Sequence, residues 1–73
     1  MTKLPGDYIS RRLVVLEKRT EAILVREIGE RSKNIWLAKN NLIRGNDTGE
    51  EDSGFPIYSI VAQRWVFTEK GIK

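Results

Sequence analysis

Cysteine and histidine are both absent from this chain. Without cysteine there is no disulfide to staple a small fold and no thiolate nucleophile. Without histidine, the commonest metal ligand and the commonest general base near neutral pH are missing. Serine–histidine–aspartate and cysteine–histidine catalysis are thereby excluded, and only an oxygen-ligand site for a hard cation would remain. Long apolar runs are lacking too. The longest, among them residues 13–16 and 22–25, are four residues each, far below the roughly 20 that a membrane-spanning helix needs. The opening M-T-K-L-P-G-D-Y has no apolar centre of the secretion-signal kind, so the expected setting is the cytoplasm. Neither a G-x-G-x-x-G nor a phosphate-loop pattern occurs, and no cofactor is expected.

What the chain does have is a β-rich apolar skeleton within 73 residues, the length of one small domain. Such a chain buries about 60% of its unfolded surface and is marginal on its own. Packing or self-association must therefore supply its stability.

The skeleton centres on residues 22–42, where two short apolar strands flank a charged turn around Gly29. Ahead of it, residues 11–18 (R-R-L-V-V-L-E-K) read as a first strand, with β-branched residues at its centre. Strict alternation puts Leu13 and Val15 on one face and Val14 and Leu16 on the other, so both faces are apolar. Such a strand is either covered on both sides or leaves one face for a partner. A helix over residues 17–28 is the competing assignment. Residues 22–28 and 34–38 read as the second and third strands and 57–62 as the fourth. Residues 1–9 are expected as an arm. Residues 44–56, rich in glycine and acids, are expected as a mobile acidic loop. Residues 63–70 before Gly71 read as a short helix with a glycine stop, with a last strand as the rival. The expected fold is mainly β: a small antiparallel sheet or partly open barrel of about four strands, closed by a short C-terminal helix.

The charge is +3 overall but unevenly spread. Residues 44–56 hold one base and four acids, leaving 12 bases and six acids elsewhere. A basic body with an acidic appendage steers towards anionic partners. The acids Glu50, Glu51 and Asp52 adjoin one another, yet nothing nearby sets their pKa values apart for acid–base work. They also lack the spacing of a calcium loop. Solvated charge is the plain reading, and no enzyme activity is expected.

Two kinds of contact residue are expected. Leu13, Val15, Trp36 and Trp65 are candidates for a protein partner or a second copy of the chain, since tryptophan is enriched where interfaces are strongest. Core packing is the ordinary role of either tryptophan in so small a domain. Arg11, Arg12, Lys18, Arg19, Arg26, Arg31, Lys33 and Lys39 are candidates for phosphate contacts, with aromatic rings available to stack bases. Glu17, Glu21, Glu27 and Glu30 interrupt that basic series.

One pattern runs across two thirds of the chain: E-A-I-L-V, a glycine-containing turn, I-W-L-x-K, and after the acidic segment W-V-F-T-E-K-G-I. It resembles a group of small bacteriophage and prophage accessory proteins. Residues 22–25 with Trp36, Lys39, Trp65, Lys70, Gly71 and Ile72 match, while Ala38 and Asn40 stand where that group usually carries proline and serine. The resemblance implies a small β-rich domain ending in a short helix. It also implies a role in binding and modulating a host macromolecular machine, such as a nucleic-acid-processing or defence complex. The expected function is a non-enzymatic protein-binding module of this kind, with low-specificity nucleic-acid binding as the alternative.

Overall fold

Residues 11–28 form two strands, not one helix. The computed structural model describes residues 8–29 and 33–72. Within them lie β1 (Tyr8–Lys18), β2 (Ala22–Glu27), β3 (Ile35–Ala38), β4 (Leu42–Asp52) and β5 (Phe55–Gln63), followed by the helix α1 (Arg64–Glu69). All pairings are antiparallel and the sheet order is β3-β2-β1-β5-β4. The fold is therefore mainly β with a short C-terminal helix, as expected, but with five strands. Of the expected arm, Tyr8 and Ile9 instead begin β1, opposite Gln63 and Ala62, and residues 1–7 lie outside the described residues.

The fifth strand is the segment expected as a loop. Residues 44–52 pair with β5 despite a composition that disfavours strands. Two-residue turn chemistry closes the hairpin: Ser53 (φ 56°) and Gly54 (φ 85°) both take the left-handed conformation that a tight hairpin requires. Within β4, Thr48 and Gly49 form a bulge between the Asp47–Tyr58 and Glu50–Ile57 pairs. Side chains hold it in place. The Thr48 hydroxyl donates to the Ile57 carbonyl at 2.7 Å, and the Gly49 N–H donates to Asp47 Oδ1 at 2.8 Å. Pairing and these local bonds override propensity, and as an edge strand β4 needs no apolar alternation.

The two edge strands, β3 and β4, are consecutive in sequence and joined by a three-residue 3₁₀ turn, Lys39–Asn41. Three residues span at most about 11 Å. The sheet therefore curls enough to bring the start of β4 near the end of β3, but it stays an open sheet, with no ladder between its two edge strands. The Lys39 N–H donates to the Glu21 carbonyl at 2.9 Å and ties this turn to the β1–β2 connection.

The concave face holds the core. Leu13, Val15, Ile23, Val25, Ile35, Leu37, Ile60 and Ala62 point into it, and Val66, Phe67 and Ile72 close it from the C-terminal end. Helix α1 stops through paired backbone bonds. The Ile72 N–H reaches the Phe67 carbonyl (2.8 Å) and the Gly71 N–H reaches the Thr68 carbonyl (3.0 Å), with Gly71 at φ 78°. This is the glycine stop expected from sequence, and it lays Ile72 beside Phe67 in the core. The competing final strand does not form.

The convex face has its own small buried patch. Val14, Arg26 and Ile57 stand side by side across β2, β1 and β5 and are each at most 5% exposed. The far end of β4 crosses over this patch. Its Glu50 pairs with Arg12 on β1, and its Asp52 pairs with Arg26 on β2 at 3.3 Å, although β4 forms ladder bonds with β5 alone. Both faces of β1 are thus covered within one chain. Leu13 and Val15, 1% and 3% exposed, are core residues and are not available to a partner.

Candidate functional site

The curl of the sheet leaves an open cleft on its concave side, where β4 approaches the β1–β2 end. Lys18, Lys39 and Arg44 rim it, and Tyr58, Leu42 and Ile43 are among the residues that line it. Its lining holds three cations and no carboxylate. An apolar floor with a cationic rim suits an anionic ligand that also has flat or apolar parts.

Lys18 reaches this cleft because of a bulge. Val15 pairs with Val25, but the next pair is Glu17–Leu24, so Leu16 is an extra residue in β1. The bulge shifts alternation by one position. Lys18 therefore pairs with Ile23 and joins the concave side instead of the Val14 side. There its ammonium donates to the Tyr58 hydroxyl and lies 4.5 Å from the Tyr58 ring centroid. A second bulge, at Ile43 between the Leu42–Ala62 and Arg44–Val61 pairs, leaves the Ile43 side chain about half exposed at the cleft.

On the other face of the sheet a more open depression is lined by Arg19, Thr20, Glu21, Ala22 and Trp36. Trp36, on β3, is 40% exposed, and the Arg19 guanidinium sits 5.0 Å from its ring centroid. Arg19 is also held by Glu17. No residue lines both depressions, and the register sets them on opposite faces of the sheet: Lys18 pairs with Ile23 on the concave side, whereas Trp36 pairs with Leu24 on the convex side.

The candidate basic residues thus divide. Lys18 and Lys39 line the cleft, and Arg19 lines the Trp36 depression on the opposite face. Arg12 and Arg26 face the convex side, where Glu50 and Asp52 engage them. Arg11 donates to the Ser10 carbonyl at 2.8 Å. Lys33 extends beside Gly71 and is not among the cleft's lining residues, and Arg31 lies outside the described residues. Both tryptophans are exposed rather than in the core: Trp65, on α1, is 49% exposed. Arg44 is the cleft residue that the sequence reading missed, because its segment was taken as an acidic loop. Ion pairs among the described residues include Arg12–Glu50, Arg19–Glu17 and Arg26–Asp52, and none of these engages Lys18, Lys39 or Arg44.

The acids of the hairpin have structural duties. Partial burial pushes the Asp52 carboxyl up, but the Gly29 N–H, the Ser53 hydroxyl and the Arg26 guanidinium together outweigh it. The net result is a value below that of an ordinary aspartate. The Asp52 carboxylate thereby ties β4 to the end of β2. No group of three or more metal-ligating side chains occurs among the described residues, and no helix there is long and apolar enough to cross a membrane. In comparisons with known proteins, no family model, no curated protein and no solved structure matches this chain.

Proposed function

We propose that the chain is a non-enzymatic binding module whose ligand is nucleic acid, held with low sequence specificity. The observation that carries this reading is the cleft rimmed by Lys18, Lys39 and Arg44 around Tyr58, with no acid in its lining. Cations in such an arrangement bind by displacing counterions from phosphates, and they read no sequence by themselves. Two further features support it. The strongest motive for a protein-binding face, an uncovered apolar side of β1, is removed by the burial of Leu13, Val14 and Val15. Of the four acids in residues 44–56, Glu50 and Asp52 are turned to the convex face, where Arg12 and Arg26 take them up. Within a phage-type accessory role, such a module would act on a host machine through the nucleic acid that machine handles.

The test is a salt titration of labelled single- and double-stranded oligonucleotides. Three phosphate contacts give a log–log slope of about −2 on a single strand, so affinity falls roughly tenfold between 50 and 200 mM salt. Absence of binding to either form at 50 mM salt rules the reading out.

A protein partner is the second reading, favoured by Trp65, half-exposed on α1 at the opposite side of the core from Phe67's packed side chain. A concentration-dependent sedimentation coefficient at micromolar protein, lost in Trp65→Ala, would favour self-association through that residue.

A further inference from the structure

Gly45 sits in β4 opposite Ile60, at a regular ladder position beyond the Ile43 bulge. Unlike Gly29, Gly49, Gly54 and Gly71, it does not take a positive φ. A Cβ at this position would lie 3.9 Å from Ile60 Cγ1 and 3.9 Å from Tyr58 Cδ2, ordinary contact distances. The fold therefore does not call for this glycine. Glycine inside a strand weakens it, and where no bulge or bend needs it, it marks a place where something approaches the backbone closely. What the bare backbone leaves open here is the floor of the cleft, whose lining includes Gly45, Tyr58, Ile60 and the half-exposed Ile43. The space is about 290 Å³, at the small end for ligand sites, room for one nucleoside-sized group and not for a duplex. The Lys18 ammonium spends one N–H on the Tyr58 hydroxyl and keeps two for a ligand. Asp47, the acid opposite Tyr58 in the ladder, is not among the lining residues, and its carboxylate accepts the Gly49 N–H at 2.8 Å.

We propose that the cleft floor at Gly45 is a subsite for one unpaired nucleobase, so that the module takes single-stranded nucleic acid in preference to duplex. The base packs against Tyr58, Ile60 and Ile43 over the Gly45 backbone, while Lys18 and Lys39 at the rim meet the flanking phosphates. This rests on the nucleic-acid reading above and adds the strand form and the residue that sets it. A base in a duplex must first be unpaired and unstacked to enter such a pocket, whereas a single strand offers its bases freely. Charge alone gives the opposite preference, because a duplex carries one charge for about every 1.7 Å of axis.

The experiment measures fluorescence anisotropy of three labelled probes of equal length at about 50 mM salt: oligodeoxythymidylate, an abasic deoxyribose-phosphate strand and a duplex. The parent chain should bind oligodeoxythymidylate more tightly than the duplex, and about tenfold more tightly than the abasic strand, which keeps the phosphates and lacks the bases. Gly45→Val fills the floor. It should lower oligodeoxythymidylate affinity about tenfold and leave abasic and duplex affinity within about twofold, with Gly45→Ala between parent and valine variant. Thermal unfolding of Gly45→Val should show a midpoint no lower than the parent's, since valine suits a strand better than glycine. The abasic comparison is made on the parent chain and needs no variant to fold. Equal parent affinity for the abasic and thymidylate strands overturns the base subsite and leaves the phosphate reading of the cleft intact, and so does a folded Gly45→Val that binds thymidylate like the parent. No binding of any probe overturns both.

Discussion

The acidic hairpin and the basic cleft carry opposite charge, but they differ more in what their charges are doing. In the hairpin, carboxylates meet guanidinium groups of the same chain: Glu50 with Arg12, Asp52 with Arg26. Arg26 is only 4% exposed and lies in a buried row with Val14 and Ile57. In the cleft, Lys39 and Arg44 face solvent, and Lys18 meets a tyrosine instead of a carboxylate. One region therefore uses charge to hold a strand across the sheet. The other presents charge outward. It follows that substitutions in the hairpin should alter stability and leave binding alone, while substitutions in the cleft should do the reverse.

The largest expected effect falls on what both regions share. Phe67 is 1% exposed beneath α1, and Phe67→Ala should cost about 3–5 kcal/mol. That is most of the stability of so short a chain, so chemical denaturation should show it largely unfolded and binding should vanish with it. Arg26→Ala sharpens the comparison. It should cost about 1–2 kcal/mol by removing a charged hydrogen bond in a covered site, with oligonucleotide affinity unchanged once folding is corrected for. Gly54→Ala should cost about 1 kcal/mol. Nothing crowds a Cβ there, and the penalty comes from φ 85° alone.

Asp52 gives a pH dependence of known sign. Its folded pKa lies below the unfolded value, so the carboxylate contributes stability above the unfolded pKa of about 4, and that contribution is lost as pH falls through the folded value. Thermal unfolding between pH 6 and pH 3 should show this loss. Asp52→Asn should be less stable near pH 6 and should lose less on acidification. The smallest expected effect is on the stability of cleft variants: Lys39→Ala and Arg44→Ala should lie within about 0.5 kcal/mol of the parent chain, as exposed positions usually do.

The two regions were also unequally legible in the sequence. β1, β2, β3 and β5 follow from apolar alternation, and the end of α1 follows from Gly71, whose left-handed φ the helix stop requires. β4 did not follow, because G-N-D-T-G-E-E-D has neither alternation nor propensity. It is a strand because β5 offers it a ladder and the Ser53–Gly54 turn aims it back. That Ser-Gly pair was the one local signal available. Among the site residues, Lys18, Arg19 and Lys39 stood in the basic series beside Arg12 and Arg26, and no periodicity could separate them. The separation comes from the Leu16 bulge, which moves Lys18 to the concave side, and from the hairpin crossing, which engages Arg12 and Arg26. The bulge is a detail of register within the β1–β2 hairpin, and the crossing is a consequence of pairing at long sequence separation. The exposure of Trp36 has the same origin: on an edge strand of a sheet this short, its face of β3 has no layer above it among the described residues.

The account's central claim is tested most directly by reversing charge at two cleft positions. Single-strand affinity of Lys39→Glu/Arg44→Glu should be compared with that of the parent chain at 50 and 200 mM salt, with thermal unfolding measured alongside. The account predicts a folded variant whose affinity at 50 mM salt is lower by at least about tenfold and whose salt slope is shallower by about one to two. A folded variant that binds like the parent at both salt concentrations would contradict it.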